Sequence, residues 1–73
     1  MEPIRTTGGE IMARRRALGM PRRELAERVG ISQTQVVRYE LHGAEPSLRI
    51  AQQIAANLGC SLDDLAGTPE AAA

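Results

Sequence analysis

Residues 21–40, PRRELAERVGISQTQVVRYE, constrain the fold more than any other part of the chain. They read as two short amphipathic helices joined by a turn at Gly30. Leu25, Ala26 and Val29 recur at the spacing that lines one face of a helix. Gly30 is free to take the left-handed conformation that ends it. Ile31 and Ser32 restart the chain. Ser32 with Gln35 fits an S-x-x-Q capping box, and Ile31 with Val36 fits a hydrophobic staple, so the next helix has a doubly marked start. Val36 is its main apolar residue facing back. Gln33, Thr34, Val37 and Arg38 are left facing out.

The flanking sequence carries helix signals only. Residues 1–8, with Pro3 and the first glycine of Gly8-Gly9, read as a flexible arm. A first helix is expected from Gly9 or Glu10 to Leu18, with Ile11, Arg15 and Leu18 on one face and Gly19 as its stop. Pro21 suits the first turn of a second helix running to Val29. The third helix runs to about Leu41, and residues 42–46 form a loop. Ser47 caps a fourth helix that ends at Leu58 and carries an apolar stripe of Leu48, Ala51, Ile54, Ala55 and Leu58. Gly59 stops it. Ser61 with Asp64 forms a second capping box and opens a short fifth helix to about Ala66. Residues 67–73 read as a frayed tail. The expectation is an all-α domain of five helices over residues 9–66.

Composition narrows the possible functions. A chain of 73 residues buries only roughly 60% of its unfolded surface. With Tyr39 as its one aromatic residue, the core must come from aliphatic side chains and methionine. Cys60 is the only cysteine, which excludes an internal disulfide and a multi-cysteine zinc site. Helix packing, helped by dimerisation, is left to hold the fold. The sequence shows no signal-peptide core and no apolar run that would span a bilayer, so a cytoplasmic protein without membrane contact is expected. It carries no nucleophile–base pair, metal cluster or phosphate-binding glycine loop, so no enzyme, metal or cofactor is expected. His42 has no acidic or thiol partner at motif spacing. The Asp63-Asp64 pair suits a helix N-terminus without any ion.

The charges balance overall but are unevenly placed. Residues 5–38 hold eight arginines against three glutamates, whereas residues 40–70 hold one arginine against five acids. One half suits phosphates and the other avoids them. An outward helix face of Gln, Thr, Val and Arg is suited to base edges in a DNA major groove, and an exposed Val there has little structural purpose. Gln33 is matched to adenine, Arg38 to guanine, and Val37 or the Thr34 methyl to a thymine methyl. Arg22 and Arg23, at the positive start of the second helix, are expected on phosphates, with Arg14 or Arg16 in addition. Gln35 serves the capping box first and is also within reach of a phosphate. Arg28 is expected to pair with Glu24 one turn earlier.

The pattern resembles the phage-repressor or XRE-type helix-turn-helix family. The residues that carry it are Arg15 four before Gly19, then Glu24-Leu25-Ala26, Val29-Gly30-Ile31-Ser32, Val36 and Glu40. Pro46-Ser47-Leu48, Ile54-Ala55, Leu58-Gly59 and Leu62-Asp63-Asp64-Leu65 complete it. The resemblance covers about residues 9–66 and implies a lambda-repressor-like five-helix domain. It implies a sequence-specific regulator, a repressor by default, that binds an inverted-repeat operator in double-stranded DNA as a homodimer. The third helix, with Gln33, Thr34, Val37 and Arg38, would read the bases. It also implies a semi-buried ion pair between Arg15 and Glu40 and a dimer seam around Leu58, Cys60, Leu62 and Leu65. The alternative is an antitoxin that binds a toxin and autoregulates its operon, though residues 67–73 offer little sequence for that. Two departures stand out. Pro21 and Arg22 replace the usual Ser or Thr and Gln, and His42 replaces a turn glycine, which predicts a different loop after the third helix.

Overall fold

A computed structural model describes residues 6–66 and consists of five helices: α1 (Thr7–Ala17), α2 (Arg22–Val29), α3 (Gln33–Leu41), α4 (Leu48–Leu58) and α5 (Leu62–Leu65). The expected tail and most of the expected arm lie outside the described residues. Thr7 and Gly8 belong to α1, so the arm reaches less far than its glycines suggest. Thr6 caps α1 by accepting the Gly9 amide at 3.0 Å.

The five largest fully buried side chains are Ile11, Leu25, Val36, Ile54 and Leu65, one from each helix. Each contributes about 1.5–3 kcal/mol of burial, and all five belong to one cluster shared by the five helices. The core therefore forms only when all five helices are docked. Met20, Ala26, Tyr39, Ala55 and Leu58 complete it.

Two residues expected on apolar stripes are not buried. Leu18 is 56% exposed because α1 ends at Ala17, and Met20 beyond the turn fills the place instead. Leu48 is 64% exposed. It is the first residue of α4, and a helical side chain covers the turn before its own Cα; here no turn precedes it.

Chain reversals follow local chemistry. Gly30 adopts φ +83°, and the Ala26 carbonyl accepts from both Gly30 and Ile31 at 2.8 and 3.0 Å. After α3, His42 keeps a negative φ of −118° and Gly43 takes the left-handed turn at +72°. The Ala44 amide then closes on the Arg38 carbonyl at 3.1 Å, six residues back. At Gly30 the corresponding bond spans five residues, so the loop after α3 is wider by one residue. His42 is therefore unstrained, and the left-handed turn is carried by Gly43.

Ser47 accepts the Ile50 amide at 3.2 Å, and Ser61 and Asp64 close both halves of their capping box at 3.0 and 3.1 Å. The box at Ser32 is only half closed. Ser32 accepts the Gln35 amide at 3.1 Å, but the Gln35 side chain turns along the helix and donates to Tyr39 Oη at 3.5 Å.

Hydrogen bonds from Ser61 hold the Asp64 carboxyl below its ordinary pKa of 3.8. A depressed carboxyl stabilises the fold above that value and loses its contribution as pH falls through the folded pKa. Asp64→Asn should therefore lower the melting temperature at pH 7, and the gap from the parent chain should close toward pH 2. A gap that stays constant with pH would show that the ionised carboxylate contributes nothing.

Candidate nucleic-acid interface

The helix expected to meet a ligand is α3, and its two faces differ sharply. Val36, Tyr39 and Glu40 are buried, whereas Gln33, Thr34 and Arg38 are exposed and Val37 is half-buried beside them. Ile31 packs at the edge of the cluster that contains Val36. The outward quartet thus stands together on a helix whose position is fixed from behind.

An ionic cluster under the C-terminal end of α3 does much of that fixing. The fully buried Glu40 carboxylate accepts from Arg15 Nε at 2.8 Å and Arg15 Nη2 at 3.1 Å. The remaining Arg15 nitrogen, Nη1, donates to the Met20 carbonyl at 2.8 Å. The expected Arg15–Glu40 pair is therefore present, bidentate and buried. A second arginine joins it: Arg22 Nε donates to Glu40 Oε1 at 2.8 Å. One carboxylate ties α1, α2 and α3 together through charge-assisted bonds.

Other arginines differ from expectation. Arg14 lies 3.4 Å from Glu10 and 4.0 Å from Asp64 of α5, so it spans the α1–α5 seam and is a poor candidate for phosphate. The Arg22 side chain is 27% exposed, with its Nε committed to Glu40, which also departs from the expected phosphate role. Arg23, Arg38 and Arg16 are exposed, and no acidic partner meets them among the described residues. Arg28 pairs with Glu24 at 2.9 Å as expected. Its contribution is small because both groups are in solvent.

The expected dimer seam also needs correction. Leu58 and Leu65 are 6% and 1% exposed because they fill the domain's own core. Only Cys60 and Leu62 remain partly accessible, and Leu62 lines an open groove with Leu48, Pro46 and Ala51. Burial pushes the Cys60 thiol up, which keeps it neutral and suits packing. Among the described residues, no group of acidic, histidine and cysteine side chains is placed to hold a metal ion. No described helix is long and apolar enough to cross a membrane.

Two contributors to this site have no clear signature in the linear sequence. Arg22 meets Glu40 only through the packing of α2 on α3. Gly8 resembles a loop residue until α3 is docked against it. The only sequence signal for Arg22 is its occurrence where the family resemblance calls for Gln.

The helix-turn-helix family model matches residues 11–65, and the chain belongs to that family, in its phage-repressor or XRE-type form. No curated protein sequence matches the chain. Among solved structures, it is similar to the P22 c2 repressor in complex with synthetic operator 9T in the presence of Tl+. Identity there is 30%, coverage is 84% of this chain and 92% of that one, and the TM-score is 0.79. The N-terminal DNA-binding domain of SinR from Bacillus subtilis is 25% identical over 88% of this chain and 94% of that one, with a TM-score of 0.78. The clp gene regulator ClgR from Corynebacterium glutamicum is 27% identical over 81% of this chain, with a TM-score of 0.76; this chain spans 63% of its length.

Proposed function

We propose that this chain is a sequence-specific DNA-binding transcription regulator, acting as a repressor. It inserts α3 into the major groove and binds an inverted-repeat operator as a homodimer. The observation that carries this reading is the outward face of α3, where Gln33, Thr34, Val37 and Arg38 stand together over a buried ionic anchor. Arg38 presents a planar fork matched to guanine O6 and N7, and Gln33 an amide matched to adenine. Arg23 and Arg16, exposed and without an acidic partner among the described residues, supply positive charge for phosphates. The P22 c2 repressor and SinR, both solved with DNA, support the reading by likeness.

A two-fold dimer sets two copies of α3 about 34 Å apart, one turn of B-DNA. With Leu58 and Leu65 in the core, the seam falls to Cys60 and Leu62 with the neighbouring exposed Leu48.

The test is fluorescence anisotropy at two salt concentrations, with a duplex from upstream of the chain's own gene and a shuffled duplex. The native duplex is expected to bind at least ~1000-fold tighter, with two chains per duplex. Arg38→Ala should remove most of that difference without unfolding the domain. Equal weak binding to both duplexes would reject base readout on that DNA.

A further inference from the structure

We propose that Arg22 is a positioning residue for the recognition helix and not a phosphate ligand, whereas its neighbour Arg23 contacts the DNA backbone. The inference rests on the DNA-binding reading above and refines the same site.

Two adjacent arginines open α2, and the structure treats them differently. Arg23 is exposed and meets no acidic group among the described residues. Arg22 turns inward, placing Nε 2.8 Å from Glu40 Oε1 and Nη2 3.8 Å from the Met12 sulfur. Its side chain is about three-quarters buried. The carboxylate it meets is fully buried and already held by both Nε and Nη2 of Arg15. Glu40 belongs to the last turn of α3, two residues after Arg38. Arg22 therefore fixes the end of the helix that carries the guanine-matched fork. Arg15 approaches from α1 and Arg22 from α2, so α3 is held from two directions.

Residue 21 fits this arrangement. Pro21 leaves α2 without a side-chain cap, while its carbonyl still accepts from Glu24 and Leu25 at 3.0 and 3.2 Å. Its fixed φ of −66° sets where the helix starts, and hence where the Arg22 stem departs.

The two roles leave different marks on binding. A phosphate ligand releases counterions, so its loss lowers the slope of log K against log salt by ~0.9 for each contact removed and weakens all duplexes alike. A positioning residue leaves the slope unchanged and lowers the preference for the specific duplex.

The experiment measures salt-dependent anisotropy for the parent chain, Arg22→Gln and Arg23→Gln. The probes are a duplex enriched by in vitro selection on the parent chain and a shuffled duplex. Arg22→Gln is expected to keep the parental slope and reduce the specific-to-shuffled ratio tenfold or more. Arg23→Gln should lower the slope by ~0.9 per copy, ~1.8 for the homodimer on its duplex, and preserve the ratio. A lowered slope with an intact ratio in Arg22→Gln overturns the proposal. If Arg22→Gln does not fold, Arg22→Met keeps the length of the stem and carries the same two readouts.

Amide hydrogen exchange of the free protein gives an arm independent of DNA. Tyr39, Glu40, Leu41 and His42 should exchange faster in Arg22→Gln than in the parent, and unchanged protection overturns the proposal. If the parent chain itself fails to discriminate among duplexes, the DNA-binding reading fails. The exchange arm then still decides whether Arg22 anchors α3.

Discussion

Glu40→Gln is expected to destabilise the domain by about 3–5 kcal/mol, the cost of breaking a buried ionic cluster by removing one partner. The parent carboxylate is fully buried and accepts three N–H bonds from two guanidinium groups. An amide of the same shape loses the charge and turns a donor toward donors. Arg15, whose side chain is 8% exposed, then keeps the Met20 carbonyl and at most one of its two bonds to residue 40. A domain of this size shifts its melting temperature by roughly 4–8 °C per kcal/mol, so Glu40→Gln should melt on the order of 12 °C or more below the parent. Glu24→Gln is the control. It removes an exposed partner of Arg28 and should change stability by less than about 0.5 kcal/mol. Thermal and urea unfolding of the two variants decide the matter. Equal, small effects would mean that the cluster anchors nothing.

The large penalty is a statement about unpaired charge, which differs from the net value of the cluster. Charges taken out of water start from a desolvation cost that the pairing must first recover. Replacing all three groups together, as Arg15→Met, Arg22→Met and Glu40→Leu, should recover most of the stability lost in Glu40→Gln. What such a variant would lose is direction. Charge-assisted bonds from a planar fork accept a narrow range of angles, whereas an aliphatic contact lets α3 settle by rotation or sliding.

The distinction explains how much was legible in the sequence. Helix existence and most boundaries depend on neighbours in the chain, so Ser32, Ser47, Ser61, Gly30 and Gly59 marked them correctly. Val36, Leu25 and Ile54 followed from helical spacing. The outward quartet of α3 followed from subtraction, once the buried positions were known. Where the outcome depended on tertiary packing, the linear pattern misled. Leu18 and Leu48 obey a helical period, but they stand at helix ends, where no further turn of their own helix covers them. The family resemblance places Leu58 and Leu65 at a dimer seam, yet a chain with no Phe or Trp needs them in its core. Arg22 looked like phosphate chemistry because a helix start favours anions. The carboxylate it meets is an anion supplied from within the fold, 18 residues away.

Gly8→Ala is expected to lower stability by about 1–3 kcal/mol, or more where the backbone cannot move, against the ordinary preference of helices for Ala. In a helix interior, Gly to Ala is normally favourable by up to ~1 kcal/mol. At Gly8 the added methyl would overlap the Tyr39 carbonyl oxygen, and would lie 2.9 Å from that carbonyl carbon and 3.1 Å from Glu40 Cα. These are backbone atoms of α3, so relief requires α1 and α3 to separate. That separation would pull on the bonds between Arg15 and Glu40. Gly9→Ala is the matched comparison one residue along. Its methyl would meet only the Thr6 hydroxyl at 3.2 Å, which can yield by weakening the cap it makes with the Gly9 amide. The helix preference for Ala and the weakened cap offset, so the effect should stay within about 1 kcal/mol. Urea unfolding of the pair separates local propensity from packing. A stabilised Gly8→Ala would mean that α1 does not lie against α3 as described. If Gly8→Ala is destabilised and Gly9→Ala is near neutral, the close approach of the two backbones is what sets the position of α3. The orientation of Arg38 would then depend on a missing side chain in the first turn of α1.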